Sequence, residues 1–181
     1  MIQLGAAYYP ELWDEKEIEQ DIERCRAYGL RVLRVGEFAW GRTEPTEGQF
    51  DLDWLARIVD RLHAAGLSVI LCTPTCTPPR WLLNKYPETR QMSRFQEAQI
   101  CDYAREQADI LHRYTKAPVG TDMMPMNTLS YHDMNRAMDV VMFNHYDPAD
   151  RLPLTTFYYD FARATLDRPF WVTETQVGWN G

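Results

Sequence analysis

The sequence predicts an α/β fold, an incomplete (β/α)8-type barrel with about six of its eight strands present. Three observations point there. Short apolar strands alternate with amphipathic helices, and each early helix stops a few residues before the next strand starts, as in a parallel sheet with right-handed crossovers. No strand is followed by Gly-x-Gly-x-x-Gly or Gly-Lys-Ser/Thr, so nothing cradles a nucleotide phosphate and a doubly wound nucleotide-binding sheet loses ground. The chain has 181 residues, whereas a closed barrel takes about 250 residues and eight strands.

Composition narrows the function classes. With 45% hydrophobic and 25% charged residues the chain can bury a core and is not a disordered segment. A net charge of −7 without a basic stripe argues against nucleic acid as a partner. Residues Met1 to Gly5 lack a basic n-region leading into an apolar h-region, so no signal peptide is expected. No apolar run approaches the ~20 residues of a membrane span. A cytoplasmic location without a membrane partner is expected. Cys25, Cys72, Cys76 and Cys101 lack ligand spacing and read as buried thiols. His145 likewise has no neighbours at ligand spacing, and neither metal nor cofactor is expected.

Taken in order, Leu4 to Tyr9 reads as a strand ending at Pro10. Asp14 opens a helix, with Glu17 completing a capping-box pattern and Ile18, Ile22 and Cys25 on one face. Gly29 suits the residue just past the helix end. Arg31 to Glu37 is a second strand with Arg34 inside its apolar pattern. Asp51 or Asp53 opens a helix with a stripe of Leu55, Ile58, Val59 and Leu62, and Gly66 ends it. Leu67 to Thr73 is nearly all apolar, as for a strand covered on both faces. A long helix follows from Arg94 to about Tyr114, with Phe95, Ile100, Tyr103, Ile110 and Leu111 inward. Then come a weak strand at 118–123, a short helix at 133–138 and a strand at 140–146. A helix at 157–166 and a strand from Phe170 to Thr173 complete the alternation. Glu174 stands where that last apolar run ends, with Trp179 close behind. A lone acid there is either a reacting group at a strand end or a solvated residue opening a loop.

The strand ends carry a resemblance. Tyr8-Tyr9-Pro10-Glu11, the tract from Gly36 to Pro45 followed by Gly48-Gln49-Phe50-Asp51, and Thr73-Pro74-Thr75-Cys76-Thr77-Pro78-Pro79 come in this order, with Glu174 near the end. Together they resemble family 42 glycoside hydrolases, bacterial β-galactosidases built on a TIM barrel. The resemblance covers most of 4–92 and resumes from 94. It implies one partial barrel over 1–181, with the first three βα units in 1–93, later units in 94–181, and an apparent deletion junction near 93/94. The strands at 140–146 and 170–173 resemble the family's sixth and seventh. By the same resemblance the fourth and eighth are expected to be missing and the chain to be truncated after the nucleophile strand.

Retaining hydrolysis of a glycosidic bond takes two carboxyl groups about 5 Å apart, one attacking the anomeric carbon and one protonating the leaving oxygen. The resemblance implies that Glu174 is the nucleophile. It places the acid/base Glu in an Asn-Glu pair ending the fourth strand, and none of the five Asn here precedes Glu. By the same resemblance Arg34 hydrogen-bonds the nucleophile, Tyr146 donates to it, Trp179 stacks on the sugar, and Glu37 serves structure or sugar hydroxyls. Read without it, Arg34 forms a structural ion pair with Glu37 or Glu11, since a buried Arg demands a carboxylate. Tyr146 is then a core or rim tyrosine and Trp179 a loop aromatic. The expected function is a retaining glycoside hydrolase acting on terminal β-D-galactosides or related oligosaccharides, impaired because the acid/base segment is absent. The alternative is a non-catalytic remnant, a weak sugar binder or unstable fragment. The family's trimerisation domain is not expected in this chain.

Overall fold

Strand and helix alternate along the chain in the structure, a computed structural model that describes residues 3–75, 77–87, 97–123, 130–146 and 151–175. Two compact units are present, Met1–Gln91 and Met92–Gly181.

In the first unit the elements are β1 (Gly5–Ala7), α1 (Ile18–Ala27), β2 (Val32–Val35), α2 (Trp40–Thr43), α3 (Asp53–Ala64), β3 (Ser68–Leu71) and α4 (Arg80–Lys85). The strands form a parallel sheet in the order β1-β2-β3, with Gly5 opposite Val32 and Val32 opposite Ser68. Period-two alternation sends Leu33 and Val35 to one face. There they meet Ile18, Ile22 and Cys25 from α1 and Leu55, Ile58 and Leu62 from α3, so the expected helix stripes are the ones buried.

Both helices end as the glycines predict. Gly29 adopts φ +73° and Gly66 φ +79°. Gly29 N donates to Arg26 O at 3.0 Å and Leu30 N to Cys25 O at 2.9 Å, and Gly66 and Leu67 repeat this pattern on His63 and Leu62 at 2.9 and 3.0 Å. These are Schellman motifs, which satisfy the last carbonyls and turn the chain straight back into a strand.

Two expectations need correction here. Asp14 does not close a capping box with Glu17. Its carboxylate accepts from Lys16 N at 3.1 Å and pairs with Lys16 Nζ at 2.8 Å, so a 3-10 turn at Glu15–Glu17 intervenes and α1 begins later. Nor is β3 covered on both faces. It is an edge strand among the described residues, and Leu71 is 61% exposed.

In the second unit the elements are α5 (Glu97–His112), β4 (Asp122–Met123), α6 (Tyr131–Asn135), β5 (Val141–His145), α7 (Leu152–Thr165) and β6 (Phe170–Thr175). The sheet is parallel in the order β4-β5-β6, and every residue of the central β5 is buried. Met123, Val141 and Phe143, with Phe170 and Val172 beside them, form the apolar face. The α5 stripe on this core is Cys101, Ala104 and Ala108, flanked by Ile100, while Tyr103 and Ile110 are exposed. Small residues three and four apart let the helix lie close to its neighbours, a preference that weighing large apolar residues alone does not reveal. Phe95 lies outside the described residues. Helix α7 starts five residues earlier than expected because Pro153 occupies its first turn, where a missing N–H costs nothing.

Asp139 ties the unit together near its helix ends. Its carboxylate accepts from Val119 N at 2.8 Å and lies 2.8 Å from His112 Nε2, while its own N–H donates to Val119 O at 2.8 Å. The Val119 amide and then His112 hold the Asp139 carboxyl below the ordinary carboxylate range. Among the described residues no helix is long and apolar enough to cross a membrane.

Gly66→Ala is expected to destabilise the chain by about 1–2 kcal/mol in urea unfolding. No atom lies within 4 Å of the added methyl group, so the cost is that of the left-handed backbone alone. Because the Asp139 pKa is depressed on folding, its stabilisation is complete above the unfolded value of about 3.9 and is lost as pH falls through the folded value. Thermal midpoints taken across that window are expected to drop more for the parent than for Asp139→Asn.

Candidate functional site

At the C-terminal end of β2 the first unit gathers charge. Arg34 is only 4% exposed, and its Nη1 lies 2.9 Å from Glu37 Oε1. A guanidinium taken out of water requires a carboxylate partner, and of the two that residue chemistry left open, Glu37 or Glu11, Glu37 forms this ion pair. Tyr9 donates to the other Glu37 oxygen at 3.4 Å and packs on Phe38 with ring centroids 5.0 Å apart. Burial, followed by the Glu37 charge, pushes the Tyr9 hydroxyl pKa up. Glu11 lies nearby in sequence. Burial raises its carboxyl pKa against the opposing pull of the Glu11 and Phe38 amides.

The motif tract after β2 is tied by a residue that sequence reasoning passed over. Glu44 is 8% exposed. Its carboxylate accepts from Trp40 Nε1 at 2.7 Å and from Gly48 N at 2.8 Å, while its carbonyl accepts from Trp81 Nε1 at 2.8 Å. Two donors converge on this buried carboxylate and compensate its desolvation, and a third satisfies the same residue's carbonyl. Arg42 stacks over Trp54 at 4.0 Å, fixing the same tract to α3.

The second unit gathers polar groups at the C-terminal ends of its three strands. Glu174 lies inside β6 rather than after it, a correction to its expected position: the strand runs on to Thr175, and Glu174 pairs in register with Asn144. The Tyr146 hydroxyl, just beyond β5, donates to Glu174 Oε2. Thr173 Oγ1 lies 2.5 Å from Asp122 Oδ1 and 2.9 Å from Asn144 Oδ1. One hydroxyl proton serves one acceptor at a time, and the charged carboxylate is the stronger. A flip of the Asn144 amide lets its N–H2 donate back to Thr173. Carboxylate oxygens of Asp122 and Glu174 lie within 4.8 Å of each other.

Of the residues selected from sequence, Arg34 and Glu37 are brought together, as are Tyr146 and Glu174. Trp179 lies outside the described residues. Asp122, Thr173 and Asn144 were missed. The available signal was polar residues interrupting apolar strands, since such groups, once buried, must find hydrogen-bond partners.

Removing one member of the Arg34–Glu37 pair is expected to cost on the order of 3 kcal/mol, because the other stays desolvated. Replacing both, as Arg34→Met with Glu37→Leu, should cost less than the two single changes added, and a double-mutant cycle in urea measures the difference.

A family model described as β-galactosidase, that of glycoside hydrolase family 42, matches the chain in two stretches, residues 7–94 and 91–180. The chain is similar to β-galactosidase YesZ of Bacillus subtilis, with 51% identity over 84 residues, 46% of the chain and 13% of that protein. It is 37% identical over 121 residues to β-galactosidase BgaA of Clostridium cellulovorans, which is 65% of the chain and 18% of that protein. Among solved structures, the β-galactosidase of the Antarctic haloarchaeon Halorubrum lacusprofundi matches with a TM-score of 0.86 at 20% identity, over 97% of the chain and 47% of that protein. The matched regions thus span less than half of each relative. At that identity the structural likeness speaks for the fold alone, and the two parallel sheets with their helices are those of a partial α/β barrel.

Proposed function

The chain belongs to glycoside hydrolase family 42, and on that premise we propose that it carries the nucleophile half of a retaining glycosidase acting on terminal β-D-galactosides. The observation that carries this reading is the Tyr146–Glu174 hydrogen bond, formed at the C-terminal ends of adjacent parallel strands. A carboxylate that accepts a hydrogen bond is favoured in its ionised form and held in one orientation. A nucleophile attacking an anomeric carbon needs both.

In this reading Glu174 displaces the leaving oxygen and forms a covalent glycosyl intermediate, which water then hydrolyses. Tyr146 donates to the carboxylate before attack. Trp179 offers its ring to the apolar face of the sugar. The leaving oxygen must also gain a proton, and the Asn-Glu pair that would supply one has no counterpart in the sequence. General acid help is worth about 10²–10⁴-fold, so alkyl galactosides and disaccharides should turn over poorly while aryl galactosides with acidic phenols suffer least. A junction near residues 93/94 accounts for the gap, and the family's match in two stretches rather than one supports it.

The missing Asn-Glu pair also favours a second reading, a non-catalytic remnant that binds sugar weakly. One experiment separates the two. A 2-deoxy-2-fluoro-β-D-galactoside with a dinitrophenolate leaving group is expected to add one fluorogalactosyl group to the peptide containing Glu174. Glu174→Gln should take up none. Saturable galactose binding by the folded parent without any adduct would select the remnant.

A further inference from the structure

The geometry points to Thr173 as a positioning residue: its hydroxyl, bridging Asp122 and Asn144, holds the extra residue in β6 that turns Glu174 out of the apolar face and toward Tyr146. This rests on Glu174 being the nucleophile, and adds a residue that acts only through it.

The argument begins with register. Val141 pairs with Phe170, Met142 with Trp171 and Phe143 with Val172, but Asn144 then pairs with Glu174 and His145 with Thr175. Two residues of β6 therefore span one step of β5, and Thr173 is the extra one, a β-bulge. Paired residues on parallel strands share a face, and successive residues alternate. The apolar face carries Met123, Val141, Phe143, Phe170 and Val172. The other face carries Asp122 and its partner Met142, then Asn144 and Trp171. In an unbulged ladder Thr173 would pair with Asn144, and Glu174 would follow Val172 onto the apolar face opposite His145, which is 2% exposed. A carboxylate there would face the side chains that pack on α5 and α7. The bulge shifts the count by one, so Glu174 joins Asn144 on the polar face.

A bulge leaves its extra residue outside the ladder, so something else must hold it. Thr173 is held by its side chain, at 2.5 Å from Asp122 on β4 and 2.9 Å from Asn144 on β5. All three strands thus contribute one polar group to the clamp. Asn144 is 7% exposed and satisfied there, so slipping the bulge would leave a buried amide without this contact.

The test uses the full chain and the fluorogalactoside reagent, with inactivation resolved into a binding constant and a first-order rate at saturation. Thr173→Val keeps the shape and removes the hydroxyl. It is expected to lower the saturating rate about ten-fold or more, the scale of one charge-assisted hydrogen bond, and to leave reagent binding unchanged. Thr173→Ser restores the hydroxyl and is expected to restore the rate. Equal rates for Thr173→Val and parent would overturn the proposal, as would a Thr173→Ser variant as slow as Thr173→Val. If Thr173→Val does not fold, Asp122→Leu against Asp122→Asn is read the same way, since Asn still offers an acceptor. A parent that takes no label defeats the galactosidase reading instead. The clamp is then judged from a crystal structure of Thr173→Val: Glu174 still bonded to Tyr146 overturns it, and Glu174 turned toward the Val172 face supports it.

Discussion

The parallel pairing of β5 with β6 is the interaction on which the second unit rests. It fixes which side chains face α5, α6 and α7 and which face away. The pairing is demanding because a strand repeats every two residues, so a one-residue slip would exchange the Phe170–Val172 side for the Trp171 side. Phe143 reads this most sharply. Its ring packs on Tyr159 at 5.8 Å and on Phe170 at 5.9 Å, and a one-residue slip of β6 would turn Phe170 to the other face. Apolar packing thus sets the frame as far as Val172, and within it the polar groups at the strand ends meet.

The first unit reaches a similar result by a different route. Its strands are short and its sheet small, yet Arg34 sits inside β2 almost fully buried. Desolvating a guanidinium is expensive, and Glu37 offsets it from the loop three residues on. The chain after β2 then folds around Glu44 as well as onto the apolar core through Ala39. The long tract that marks the family is therefore a hydrogen-bonded structure in its own right.

How much of this was legible in the sequence follows from the range of the forces involved. Helix ends at Gly29 and Gly66 are local, decided by a left-handed residue and two backbone bonds, and they stand where the glycines put them. Stripes such as Ile18-Ile22-Cys25 are nearly local, since 3.6-residue periodicity fixes them before any partner is known. The inward face of α5 was misread because Cys101, Ala104 and Ala108 are small, and their burial depends on how closely the neighbours approach. The end of β6 was misread for a related reason. Whether Glu174 lies in a strand or after it depends on Asn144 and His145, some thirty residues away, accepting Glu174 and Thr175 as ladder partners. The Asp122–Thr173–Asn144 contact needs three strands aligned at once, and no pattern within one segment encodes that.

The Schellman turns have a consequence for how such a chain can change. They leave α1 and β2, and likewise α3 and β3, joined by only a few residues, most of them engaged in closing a helix. An added residue there would break the closure and shift the register of the strand behind it. The opposite connections, from β1 to α1 and from β2 to α3, are longer and carry their own small helices. Evolutionary or laboratory insertions are therefore admissible on one rim of the sheet and barred from the other. The rim open to added residues is the one that carries Glu11, Glu37 and Glu44.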